Sequence, residues 1–156
     1  LAKQITGVIN SLGEFMDIST ICLIGGRSTE KDIEQLKKKA LPNVFPIADF
    51  LTSNLIKQDV LLHQKFDLIT ASSVCAFVPN YEETLLLLKS LLNPTGIYVQ
   101  WDWLVMGEEA GSGFTEKQVE QALLTTGFKD ISLSQPFSMG SSAEAMPVLM
   151  AVAKAF

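Results

Sequence analysis

The residue types most able to do chemistry stand at two places in the chain, Ala71-Ser72-Ser73 and Trp101-Asp102-Trp103. Small residues and hydroxyls at the first would let a ligand approach the backbone and would offer it hydrogen bonds. They suit ordinary strand-end turn chemistry equally. The second place offers a carboxylate that could orient a substrate or take a proton. Its tryptophans could enclose an apolar group, or attract a cation through their ring faces, worth about 0.5–2 kcal/mol. They could equally form a sheet face covered by helices. Alternation along a strand puts Asp102 on the face opposite both tryptophans. Phe77 and Tyr81 fall between the two places and could wall a pocket; Phe77 suits core as well. Upstream, Asp49 could accept from an amino or hydroxyl group, or cap a helix. Phe50 could cover a flat ring or pack inward.

These residues need elements to position them. Phe66 to Ala71 (FDLITA) is an apolar run ending in small residues, which predicts a buried strand. Pro79-Asn80 opens a helix from Tyr81 to Leu92, with Glu82 and Glu83 near its start, where acids suit the helix dipole. Asn93-Pro94-Thr95-Gly96 is a turn by residue type. Ile97 to Trp103 is the next strand. Both chemical places therefore fall at the carboxyl ends of strands, where ligands sit in open α/β sheets.

The flanking chain extends the pattern. Apolar residues at helical spacing from Ile5 to Phe15 predict a helix over residues 3–16. Ile18 to Ile24 (ISTICLI) predicts a buried strand, ended by Gly25-Gly26. Ser28 or Thr29 caps a helix that Pro42 stops. Val44 to Ala48 is a short strand, and residues 51–63 form a shorter helix. Residues 105–113 are glycine-rich, a loop. Thr115 and Gln118 offer a capping box for a helix closed by Gly127. Lys129 to Ser134 is a strand, Pro136 to Ala145 a loop, and Pro147 to Lys154 a final strand. This order predicts one α/β domain over residues 1–156. Its architecture is a three-layer Rossmann-like sheet of about six strands. The sheet is mostly parallel with an antiparallel C-terminal strand, and helices lie on both faces.

Composition bounds the function. The chain has 156 residues, 47 % of them apolar and 19 % charged, enough for one sizeable core. Its formal net charge of −5 repels phosphate backbones, so nucleic acid is not an expected partner. Lys37, Lys38 and Lys39 read as a solvated helix face. The cysteines, Cys22 and Cys75, have no metal-ligand spacing, and His63 is the lone histidine, so no metal site is expected. Cys75 lacks a base that would make it a nucleophile. No apolar run reaches the ~18 residues of a membrane span, and no signal-like start is present. No membrane role is expected, and cytoplasm is the expected compartment.

The stretch from Phe66 to Trp103 resembles class I S-adenosylmethionine-dependent methyltransferases, closest to the type 11 group. FDLITASS resembles the family's fourth-strand motif, with its aspartate at Asp67. AFVPNY and the helix after it resemble the next element. LLNPTGIYVQWDW resembles the "L-x-P-G-G" turn and fifth strand, with Thr95 where the first glycine is usual. FTEKQVEQALLTTGFKDISL resembles the late helix, its "aGF" turn and the sixth strand. The terminal strand fits the seventh.

The front of the chain departs from that pattern. These enzymes carry a glycine-rich loop, D/E-x-G-x-G-x-G, after the first strand, so that backbone can approach the cofactor. Here no G-x-G stands before Gly107. In one alignment Ile18 to Ile24 is the first strand and Gly25-Gly26 a degenerate cofactor loop. Asp49 then ends the second strand, as a ribose-binding acid. In the other, ICLIGGRSTEKDIEQLKKKALPNVFPIADF spans the second to the third strand, the first strand is missing, and Asp49 meets the adenine amino group. Local similarity favours the second.

The resemblance implies an S-adenosylmethionine-dependent methyltransferase acting on a small molecule. Gly25, Gly26, Asp49, Phe50, Ala71, Ser72 and Ser73 would hold the cofactor. Phe77, Tyr81, Trp101, Asp102 and Trp103 would face the substrate. The alternative is a catalytically inactive binding or protein-interaction module that keeps the fold after losing the cofactor loop. Lost helices would expose a sheet edge or an apolar face and invite a homodimer or another partner. A nicotinamide-binding dehydrogenase would need G-x-G-x-x-G after the first strand, which is absent.

Overall fold

The computed structural model describes residues 45, 47, 49–106, 113–140 and 145–156, and the backbone of 20–24. The described strands are β1 (Thr20–Ile24), β2 (Phe66–Ser72), β3 (Leu92–Trp103), β4 (Lys129–Met139) and β5 (Met146–Lys154). They form one five-stranded mixed sheet in the order β1-β2-β3-β5-β4. β1 pairs parallel with β2, and β2 parallel with β3. β5 runs antiparallel to both β3 and β4. The helices are α1 (Ser53–Gln58), α2 (Tyr81–Leu91) and α3 (Glu116–Thr125).

Several boundaries differ from expectation. The described residues hold five strands, not six. Phe45 and Ile47 of the expected strand at 44–48 are in no strand, and its other residues lie outside the described ones. The helices expected at 3–16 and before Pro42 also lie outside the described residues. The expected helix at 51–63 divides into α1 and a short 3-10 turn, Val60–His63. Asp59 makes the division, because its side chain accepts from Leu61 N–H and starts the second turn.

The Asn93–Gly96 turn lies within the bounds of β3, where the register against β2 shifts between Phe66 and Leu68. Asn93 Nδ2 donates to Asp67 Oδ1 at 2.6 Å, so Asp67 braces this turn. A methyl on Gly96 would meet the carbonyl oxygens of Asn93 and Phe66 at 2.9 Å. β4 continues through Pro136 to Met139, although residues from Pro136 onward read as loop. Pro136 is tolerated because β4 lies at the sheet's end and the register shifts between Ser134 and Phe137.

The core follows from period-two alternation. On β3, Tyr98, Gln100 and Asp102 are buried, as is Leu104 just past it, while Val99, Trp101 and Trp103 are only half-buried. Ile69 and Ala71 of β2 pair with Tyr98 and Gln100, and Leu149, Ala151 and Ala153 of β5 complete that face. Leu85, Leu88 and Leu91 of α2, with Val119, Ala122 and Leu123 of α3, pack into the same core.

The caps of α2 and α3 are those the sequence predicts. Asn80 accepts from Glu83 N–H at the start of α2, and Thr115 and Gln118 form a reciprocal capping box on α3. α3 ends in a Schellman motif: Gly127 has φ +80°, Phe128 N–H reaches Leu123 O and Gly127 N–H reaches Leu124 O. Lys89 joins the two helices there. Its Nζ donates to Gly127 O at 2.6 Å and stands 4.9 Å from the Phe156 ring.

Candidate functional site

The carboxyl ends of three strands come level. Ile24 of β1 pairs with Ser72 of β2, and Ser72 pairs with Trp101 of β3. In a doubly wound sheet numbered 3-2-1-4-5, the crevice between the first and fourth strands is the switch point where ligands bind. β2 is the strand whose sequence resembles the fourth-strand motif, and β1 lies beside it. This is the place that the first of the two alignments gives to β1. Gly25 and Gly26 follow Ile24 directly in sequence and lie outside the described residues.

Ala71 is fully buried and Ser72 nearly so; Ser73 is exposed. Ser73 has φ +52°, a left-handed conformation that costs a non-glycine residue about 1–2 kcal/mol. Its N–H donates to Trp101 O at 2.7 Å, which ties the chain leaving β2 to the end of β3. Such strain concentrates at ligand-handling turns. Past it runs a 3-10 turn, Cys75–Phe77, with Phe77 57 % exposed. Exposure removes Phe77 from the core and leaves it able to wall a pocket.

Trp101 and Trp103 are half-buried on one face of β3, and Asp102 is 2 % exposed on the other. The glycine-rich loop after β3 has pinned ends: Val105 N–H donates to Phe114 O, and Phe114 N–H to Trp103 O, both at 2.9 Å. Asp49 accepts from the N–H of Phe50 at 2.7 Å, and Phe50 is 67 % exposed. The geometry therefore aligns Ser72, Ser73, Trp101 and Trp103 at one sheet end, and leaves the Phe50 ring open to solvent.

Sequence reading missed what lies under Asp102. Gln100 Nε2 donates to Asp102 Oδ2 at 2.8 Å. Gln100 Oε1 accepts from Tyr81 OH at 2.7 Å and from Tyr98 OH at 3.0 Å. Cys75 Sγ lies 3.3 Å from Tyr98 OH, and the backbone N–H of Ala76 also reaches Asp102. No described buried polar side-chain atom lacks a partner. Burial pushes the Asp102 carboxyl up to about 7, against the two hydrogen bonds that pull it down. Burial also raises the Cys75, Tyr81 and Tyr98 groups above their usual ranges, so all three stay neutral. Cys75 is thus an inert buried thiol. The signal for the network was present: Tyr98, Gln100 and Asp102 alternate on one strand face.

Tyr81 also stacks on Phe114, ring centroids 4.6 Å apart, in an open groove of about 480 Å³ between the starts of α2 and α3. Tyr81 therefore belongs to that groove and to the buried network. Among the described residues no three His, Cys, Asp or Glu side chains cluster to hold a metal, and no helix is long and apolar enough to cross a membrane.

No family model matches the sequence, and no curated protein matches it. Solved structures do. A SAM-dependent methyltransferase from Aquifex aeolicus matches with a TM-score of 0.60 at 14 % identity, over 88 % of this chain and 68 % of its own. The CMeT domain of the citrinin polyketide synthase matches with a TM-score of 0.59 at 16 % identity, over 99 % and 44 %. The CurJ carbon methyltransferase matches with a TM-score of 0.55 at 17 % identity, over 87 % and 41 %. This chain spans 41 % to 68 % of the length of these three structures. The chain has the fold of class I S-adenosylmethionine-dependent methyltransferases.

Proposed function

We propose that this chain binds S-adenosylmethionine at the carboxyl ends of β1 and β2 and transfers its methyl group to a small molecule. The observation that carries this reading is the level row Ile24, Ser72, Trp101 at the switch point, with the strained Ser73 beside it. The residues present suit the cofactor's chemistry: hydroxyl and backbone groups for polar parts, aromatic rings for flat or cationic ones. Gly25, Gly26, Asp49, Phe50, Ala71, Ser72 and Ser73 would hold it. The cofactor would supply an electrophilic methyl on a sulfonium.

The chain's own part is binding and alignment. Ser72 and Ser73 would offer hydroxyls and backbone groups to the ligand. Trp101 and Trp103 would exclude water from the reacting centre, and Phe77 would add a wall. Displacement at a methyl needs alignment and dryness more than a proton-transfer residue. Asp102, 2 % exposed, would stay beneath the sheet face rather than touch a substrate.

A second reading is an inactive binding or interaction module, favoured by the absence of G-x-G before Gly107. Calorimetric titration with S-adenosylmethionine and S-adenosylhomocysteine separates the two. Saturable binding supports the first reading, and Asp49→Ala should then weaken it several-fold. No heat at millimolar ligand supports the second.

A further inference from the structure

The groove between the starts of α2 and α3 has walls that are fixed before anything enters it. Tyr81 and Phe114 form the aromatic wall, their ring centroids 4.6 Å apart. Tyr81 is anchored from beneath, because its hydroxyl donates to the buried Gln100 at 2.7 Å. Phe114 is anchored through its backbone: its N–H donates to Trp103 O, and its carbonyl accepts from Val105 N–H. The groove therefore stands beside the end of β3. Its volume of about 480 Å³ lies within the ~300–1,000 Å³ of small-molecule sites.

The rim is polar, and helix capping fixes which way two of its amides face. Asn80 Oδ1 accepts from Glu83 N–H, so Asn80 Nδ2 is the end left without a partner. Gln118 Oε1 accepts from Thr115 N–H and from the Thr115 hydroxyl, so Gln118 Nε2 is left over in the same way. A backbone N–H can only donate, so neither amide can turn over without losing its cap. Two amide donors, one at the start of each helix, thus flank the aromatic wall. Glu82 and Lys117 add one charge of each sign, which leaves the groove without a net charge.

We propose that this groove binds an uncharged flat ring that bears a carbonyl oxygen. The ring would lie against Tyr81 and Phe114, where aromatic contact adds to apolar burial. The carbonyl would accept from Asn80 Nδ2 or Gln118 Nε2, and so orient the ring. Anchored walls lower the ordering cost of binding. The ring site stands without the cofactor; that its occupant is the methyl acceptor rests on the function proposed above.

The test is an NMR titration of the isotope-labelled full chain with indole-3-carboxamide, and with indole as the probe that lacks the carbonyl. The Phe114, Ala122 and Gln118 side-chain signals should move on one saturation curve. Indole should bind about three- to tenfold more weakly, the worth of one hydrogen bond. Asn80→Asp and Gln118→Glu keep the acceptor that caps each helix and remove only the donor. Together they should lower the affinity for the carboxamide to that for indole and leave indole unchanged. Phe114→Leu should weaken both probes about three- to tenfold. Equal affinity for the two probes, a preference that survives in the double variant, or shifts away from the groove overturns the proposal. S-adenosylhomocysteine is titrated in parallel. Carboxamide binding without cofactor binding upholds the ring site and counts against the methyltransferase reading. Cofactor binding with an empty groove does the reverse.

Discussion

Replacing Asp102 with asparagine should change how stability depends on pH. Asp102 is 2 % exposed, and its carboxyl moves from 3.8 to about 7 on folding. Because the folded value is the higher one, the native state holds more protons than the unfolded chain between those limits. Stability therefore falls as pH rises through that window and is flat above it. At 1.36 kcal/mol per pH unit, the gap amounts to about 4 kcal/mol as a ceiling. Water entry and relaxation around the carboxylate reduce it, so about 2–4 kcal/mol is expected. The assay is urea unfolding of the native chain and Asp102→Asn from pH 4 to pH 8. Other acids contribute equally to both proteins and cancel in the difference. Relative to the native chain, Asp102→Asn should gain about 2–4 kcal/mol between pH 4 and pH 8. Parallel curves would mean that the carboxylate is not desolvated in the folded chain.

Other residues give separate tests. Gly96→Ala should cost about 1–3 kcal/mol in urea unfolding, because its methyl meets two backbone oxygens that cannot both retreat. Lys89→Met keeps the stem but loses the bonds to Gly127 O and Thr126 O; a loss of about 1.5–3 kcal/mol is expected, read as a lower midpoint. Ser73→Val places a β-branched residue at φ +52° and should lower stability by about 1–2 kcal/mol, whereas Ser73→Gly should leave it nearly unchanged. Size-exclusion chromatography tests the exposed-edge dimer; elution at monomer mass would count against it.

Much of the second half was legible because local signals agree with one another there. FDLITA, the Asn80 cap, the Thr115–Gln118 box and the Gly127 stop each carry their own chemistry, and each stands where it was expected. The alternation of Trp101, Asp102 and Trp103 was readable from strand period alone. What misled was chemistry whose outcome depends on tertiary placement. Pro136 reads as a strand breaker, but an end strand with a register shift absorbs it. Asn93–Gly96 reads as a turn that separates elements, yet parallel pairing resumes on both sides of it. Asp102 reads as a site acid, and the same alternation sends it into the core, where Gln100 donates to it. The place of β1 beside β2 is a long-range pairing that no local motif encodes.

A cofactor bound where β1, β2 and β3 come level would lie beside the end of β3. The chain has two tryptophans, Trp101 and Trp103, so its indole N–H resonances report that place with little ambiguity. Titration of labelled protein with S-adenosylhomocysteine should move both indole signals and the Ser73 amide together, with one saturation curve. Shifts confined to the groove beside Tyr81 and Phe114, or no shift at millimolar ligand, would contradict that placement.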